Sequence, residues 1–94
     1  AQDHLMVLGR KTAVERIATV LLKLVDRIGK KRSSGCALDL PMTRSDLADY
    51  TGLTTETVSR SLTQMKKKGL IDTVGVRALH IPRLEALTGY SGDV

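Results

Sequence analysis

Thr43-Arg44-Ser45-Asp46-Leu47-Ala48-Asp49-Tyr50-Thr51-Gly52-Leu53-Thr54-Thr55-Glu56-Thr57-Val58-Ser59-Arg60 is the stretch whose reading decides the fold. Thr43 with Asp46 three residues on is a capping pattern, in which each side chain satisfies a free backbone N–H of the other's residue. Leu47 and Ala48 then turn inward, and the helix is expected to end near Tyr50, which would pack beneath the turn, before Gly52. Thr54 opens a second helix whose core stripe is Val58, Leu62 and Met65, at i, i+4 and i+7. Lys66, Lys67 and Lys68 close it, and Gly69 is its C-terminal stop. Two short helices joined by about three residues with a glycine make a helix-turn-helix. Gly52 suits a turn whose backbone a side chain would strain. Leu47, Leu53, Val58 and Leu62 would pack the two helices together, which leaves Thr55, Glu56, Ser59 and Arg60 on the other face.

Upstream, residues 12–31 read as one helix. Ala13, Ile17, Val20, Leu21, Leu24 and Ile28 recur at helical spacing, Thr12 and Glu15 form a capping box, and Lys30, Lys31 and Arg32 crowd the far end where they would complement the helix dipole. Residues 5–8 read as the end of a preceding helix, with Gly9 as a joint. Ser33-Ser34-Gly35 marks a loop, and residues 36–40 a short strand stopped by Pro41. Downstream, residues 70–74 and 76–81 flank Gly75 as a hairpin that ends at Pro82. Residues 83–88 add a short helix. The expected fold class is therefore mainly α with a small β-wing: a winged helix-turn-helix of three core helices plus a β-hairpin. Residues 1–9 are expected to be the end of a longer helix and a hinge, 10–88 the folded domain and 89–94 a flexible tail. With Ala1 first and no initiator Met, the chain reads as a piece of a longer protein.

A chain of 94 residues supports one modest core. No apolar run approaches the roughly 18 residues of a membrane span. The net charge of +5 favours a polyanionic partner, because Lys and Arg displace counterions when they neutralise phosphates. One cysteine, Cys36, excludes an internal disulfide and a thiolate metal cluster and fits a reducing cytoplasm. With His4 and His80 the sole histidines, no metal site is expected, and no nucleophile–base pair or Gly-rich phosphate loop suggests an enzyme. No cofactor follows. Two Tyr and no Phe or Trp argue against stacking on single-stranded bases.

The exposed face of the second helix carries the functional reading. The major groove admits one helix, whose N-terminal turns meet the base edges. Arg60 can donate two hydrogen bonds to guanine O6 and N7, Glu56 can accept from the cytosine amino group, and Ser59 can take either role. The spacing of Glu56 and Arg60 equally suits an i,i+4 surface ion pair. Lys66 to Lys68, and likewise Lys30 to Arg32, suit either phosphate contact or a solvated helix end.

The stretch from Pro41 to Arg60 resembles the helix-turn-helix of Crp/Fnr regulators, most of all their Fnr/FixK branch. Leu8-Gly9-Arg10-Lys11-Thr12-Ala13-Val14-Glu15-Arg16-Ile17-Ala18 resembles the junction and first DNA-domain helix of FixK-type proteins, and the likeness runs from Gln2 to about Gly89. The family's base-reading pattern, Glu, any two residues, Ser, Arg, falls on Glu56, Ser59 and Arg60. In the catabolite-activator branch an Arg precedes that Glu and a Gly replaces the Ser; here Thr55 and Ser59 stand there. The resemblance therefore implies TTGAT-type half-sites in inverted repeat. It also implies phosphate contacts from Thr43, Arg44 and Thr57, and a cap at Thr54, itself counted among the phosphate-facing residues. Relatives commonly carry a Lys just after the wing glycine; here Val76 occupies that place and Arg77, one residue on, is the candidate wing contact. By the same resemblance a sensor domain and a dimerisation helix would precede this domain. The partners implied are double-stranded DNA at an inverted-repeat promoter site, a second copy of the protein in the full-length homodimer, and RNA polymerase. The activity implied is mainly transcriptional activation. The rival reading is a winged-helix protein-interaction module, which would need no base-reading pair.

Overall fold

Thr12 and Glu15 exchange hydrogen bonds at the start of the first helix. The Glu15 N–H donates to Thr12 Oγ1 at 3.2 Å and the Thr12 N–H to Glu15 Oε1 at 2.8 Å. The computed structural model describes residues 12–91. It contains α1 (Ala13–Ile28), β1 (Lys30–Lys31), β2 (Cys36–Asp39), α2 (Arg44–Thr51), α3 (Thr55–Lys67), β3 (Asp72–Thr73), β4 (Ala78–Ile81) and α4 (Leu84–Ser91). The expectations for residues 1–9 lie outside the described residues.

The winged helix-turn-helix is present, and it is larger than a three-helix core with one hairpin. The strands form a single antiparallel sheet in the order β1-β2-β4-β3, and α4 is a fourth helix. β2 pairs along its length with β4, from Cys36 against Ile81 to Asp39 against Ala78, and β3 closes the wing with Thr73 opposite Leu79. Cys36, Leu38, Leu79 and Ile81 point from the sheet into the core, the alternation expected of a sheet buried on one face. There they meet Ile17 and Leu21 of α1, Leu47 of α2, Leu62 and Met65 of α3, and Leu87 of α4. Each such side chain contributes roughly 1.5–3 kcal/mol on leaving water. α4 packs chiefly along α1, so the last helix covers the first.

Several boundaries differ from the sequence reading. α1 stops at Ile28, because Gly29 leaves the helix with extended backbone (φ −67°, ψ 149°). A Cβ at Gly29 would stand 2.6 Å from the Val25 carbonyl oxygen and 2.9 Å from Cys36 Sγ. Lys30 and Lys31 consequently pair as a strand with Ala37 and Cys36, and Arg27 is the basic residue in the last turn of α1. Ile28, counted in the core face, is 45% exposed. Strand β3 is confined to Asp72–Thr73, since Leu70 and Ile71 are drawn into the core. Residues 74–77 form the wing tip. α4 runs to Ser91, beyond the expected end at Thr88, so Gly89 is helical and not tail. Tyr50 does not pack beneath the turn of the helix-turn-helix: it is 60% exposed, because α2 buries Leu47, Ala48 and Thr51. Cys36 is buried, beneath Gly29.

Gly35 ends the β1–β2 loop at φ +85°, and a Cβ there would lie 2.1 Å from the Ile81 carbonyl oxygen. Gly69 also has positive φ, at +76°, with nothing within 4 Å of a built Cβ. Gly69→Ala should therefore lose only the left-handed backbone preference, about 1 kcal/mol. Gly35→Ala adds a collision with the sheet and should lose more than about 2 kcal/mol. Thermal melts should show a drop of more than roughly 8 °C for Gly35→Ala and about half that for Gly69→Ala. Equal shifts would mean that the approach to Ile81 carries no penalty.

Candidate nucleic-acid interface

Two capped helix starts and one left-handed turn set this site. At Thr43 a capping box forms: the Asp46 N–H donates to Thr43 Oγ1 at 3.1 Å, and the Thr43 N–H donates to an Asp46 carboxylate oxygen at 3.4 Å. Gly52 takes φ 73°, ψ 29°, after which the Leu53 N–H returns to the Ala48 carbonyl at 2.9 Å. That geometry reverses the chain within the three residues a helix-turn-helix allows. Thr54 then caps α3 by accepting the Thr57 N–H at 3.0 Å, and its own hydroxyl donates to Thr57 Oγ1 at 2.8 Å.

α3 buries Val58, Ser61, Leu62 and Met65. At 100° per residue the opposite side is the stripe Glu56, Arg60, Thr63 and Lys67, all of them exposed. Glu56 and Arg60 are brought together: an Arg60 guanidinium nitrogen donates to Glu56 Oε1 at 2.5 Å, with the side chains 71% and 78% exposed. An exposed i,i+4 pair of this kind is worth about 0.3–0.5 kcal/mol, less than one good base contact at about 1–3 kcal/mol. The pair therefore holds both side chains on one face without locking them there. Ser59 and Thr57 lie at the flanks of the stripe and are half-buried. Thr43 is exposed and Arg44 half-buried in the first turn of α2, and Arg77 is exposed at the wing tip, so these three stand on elements separate from α3.

The wing tip is held by two backbone hydrogen bonds, from Val74 N–H to the Ala78 carbonyl at 2.9 Å and from Leu40 N–H to the Arg77 carbonyl at 2.8 Å. Val76, in the place after the wing glycine, is 86% exposed. The lysine cluster divides. Lys66 Nζ donates to Thr73 Oγ1 at 3.3 Å, tying the end of α3 to the wing, and Lys68 sits over the Tyr90 ring at 5.5 Å from its centroid. Lys67 remains on the exposed stripe. His80 is half-buried, with a ring nitrogen 2.7 Å from the Ser34 carbonyl oxygen.

Two residues of the site, Thr63 and Arg16, escaped sequence reasoning, and Lys67 entered it only as one of the lysines at the helix end. Thr63 and Lys67 continue the spacing of Glu56 and Arg60 by three and four residues, a signal present in the sequence. Arg16 had no such signal: its Nη1 donates across the fold to the Thr51 carbonyl at 3.1 Å, beside Gly52. The first helix thereby fastens the C-terminal end of α2 at the turn.

Comparison with known proteins agrees with this geometry. The family described as the Crp-like helix-turn-helix domain matches residues 15–90. The nitrogen fixation regulation protein FixK of Rhizobium meliloti is 51% identical over 87 residues, covering 93% of this chain and 39% of that protein. The transcriptional activator protein FnrL of Cereibacter sphaeroides is 39% identical over 97 residues, covering 99% of this chain and 39% of that protein. The solved structure of FixK2 from Bradyrhizobium japonicum superposes with a TM-score of 0.84 at 39% identity, over 100% of this chain and 46% of that one. The chain thus spans less than half the length of these regulators.

Replacing Arg16 by Met should leave the Thr51 carbonyl short of a partly buried donor and lower stability by about 1–2 kcal/mol. It should also loosen the turn. Amide exchange at Gly52 and Leu53 should accelerate more than at Leu79 in the sheet, and a uniform acceleration would show that Arg16 supports only global stability.

Proposed function

Because the chain belongs to the family of Crp-like helix-turn-helix domains, we propose that it reads double-stranded DNA sequence-specifically, with α3 laid in the major groove. The observation that carries this reading is the exposed face of α3. Its other side is committed to the core, while Glu56 and Arg60 stand together toward solvent in its first turns, the part of a recognition helix that meets base edges. Arg60 donates to guanine O6 and N7, Glu56 accepts from a cytosine amino group at another base pair, and Ser59 contacts a base from the flank.

The phosphate contacts come from both helix starts and the wing. Thr43 and Thr54 cap helices whose N-termini favour an anion, and Arg44 supplies full charge beside the first of them. Thr57 Oγ1 already accepts from Thr54, which leaves its own proton for a phosphate oxygen. Arg77 reaches the backbone from the wing tip. The site is a TTGAT-like inverted repeat at a promoter, bound by a homodimer of the full-length protein in the cytoplasm. Transcriptional activation is supported by the names of relatives such as the activator protein FnrL, and contact with RNA polymerase is the route by which an activator bound at a promoter would act. A protein-interaction role finds its support in the exposed valines of the wing, Val74 and Val76.

A mobility-shift assay separates the two. A TTGAT-N4-ATCAA duplex should bind in preference to a scrambled duplex, and equal binding would remove the base-reading role. Arg60→Ala should lose about 1–3 kcal/mol of preference for guanine at one position of the half-site. Glu56→Ala should relax selectivity at a different base pair. A titration against all single-base variants checks both, and uniform weakening would mean that these side chains only position the backbone.

Salt gives an independent check on Arg44. Each neutralised phosphate adds about −0.9 to the slope of log affinity against log salt. Arg44→Ala should make that slope shallower by about one unit while leaving sequence preference in place. An unchanged slope takes Arg44 off the phosphate.

A further inference from the structure

Thr63 lies on the groove-facing stripe of α3, three residues beyond Arg60 and seven beyond Glu56. Seven residues of helix rise about 10 Å. That is within the roughly 12 Å width of the major groove and about three base-pair steps at 3.4 Å each. Thr63 is thus placed to meet a base pair of the same half-site.

What it can say to that base pair is fixed by its own helix. Its hydroxyl donates to the Ser59 carbonyl at 3.0 Å, the back-bond that helical threonines make to the residue four positions earlier. The one hydroxyl proton is spent inside the helix. The side chain is nonetheless exposed; toward a base it has only acceptor capacity left on the hydroxyl oxygen and a methyl. Glu56 and Arg60 present charge and hydrogen bonds on this stripe, and Thr63 presents a small apolar surface after them. In the major groove the one small apolar group on a base edge is the C5 methyl of thymine, for which a threonine methyl is an established kind of partner.

We propose that Thr63 is a further specificity-determining residue, which selects thymine by methyl–methyl contact and not by a hydrogen bond. This rests on the major-groove reading given above and extends it to a base that neither Glu56 nor Arg60 addresses.

The test substitutes deoxyuridine for each thymine of the TTGAT-N4-ATCAA duplex, one symmetric pair at a time, and measures binding of this chain at fixed salt. Deoxyuridine lacks only the methyl and keeps every hydrogen-bonding group. At one thymine position the unaltered chain should lose affinity about fourfold, the factor equivalent to about 0.8 kcal/mol for one buried methyl-sized group. Thr63→Val keeps a methyl on this face and should retain that loss. Thr63→Ser keeps the hydroxyl without the methyl and should bind the thymine and deoxyuridine duplexes alike at that position. Both are surface substitutions that leave the core stripe untouched. If Thr63→Ser stays sensitive to the missing methyl, or if Thr63→Val loses sensitivity, the proposal is overturned. It is equally overturned if the unaltered chain ignores every deoxyuridine while still preferring the TTGAT duplex to a scrambled one, an outcome that spares the major-groove reading. Loss of the preference for TTGAT over scrambled duplex would overturn both.

Discussion

The molecule depends on the one-sided burial of α3. Val58, Leu62 and Met65 are all but inaccessible, held between α1 and α2 in the core that these helices share with the sheet. A helix gripped in this way has no freedom to roll about its axis. Its outward stripe is fixed by the same packing that stabilises the core, so the direction in which Glu56 and Arg60 face is a property of the hydrophobic interior. A single helix of 13 residues is marginal in water by itself. Here the exposed stripe of Glu56 and Arg60 keeps its place because the rest of the domain packs behind it.

The ends of α3 are tied down as firmly as its middle. Thr54 caps its start, Gly52 in left-handed conformation sets the angle at which the chain arrives, and Arg16 pins the preceding carbonyl. At the other end Gly69 lets the chain leave so that Leu70 and Ile71 drop into the core, and Lys66 bridges to Thr73. α3 and the wing are therefore joined by a hydrogen bond as well as by the chain. The first turn of α1, where any preceding segment enters, is linked directly to the turn of the helix-turn-helix.

Much of this was legible in the sequence because local signals and global fold agree there. The two Thr caps, the glycine turn, the Val58–Leu62–Met65 stripe and the resemblance carried by residues 41–60 all point to one architecture, and the structure has it. Legibility failed where a distant partner decides. Lys30 and Lys31 continue a helical pattern, yet they pair with a strand that comes later, because Gly29 is pressed against Cys36. Tyr50 looked like a core aromatic, and the place beneath the turn is filled instead by Thr51, whose hydroxyl donates to the Leu47 carbonyl at 2.7 Å. Arg16 reads as one charged residue among many in α1, and only the folded chain brings it to Thr51. Thr63 and Lys67 were the opposite case: their spacing was visible, but nothing in the sequence tells where a recognition stripe ends.

The packing of α4 along α1, and of β4 beside β2, sets the order in which this domain can be made. Ile17 near the front of the chain shares the core with Leu87 near its back, and Cys36 waits for Ile81. On a ribosome, which releases the chain from its N-terminus, α1 and the helix-turn-helix emerge with their apolar faces still uncovered. They gain their cover only when the last helix is free of the exit tunnel. Any sensor domain translated ahead of this one would already be complete by then, so its competence to sense would precede the competence of this domain to hold a stable shape.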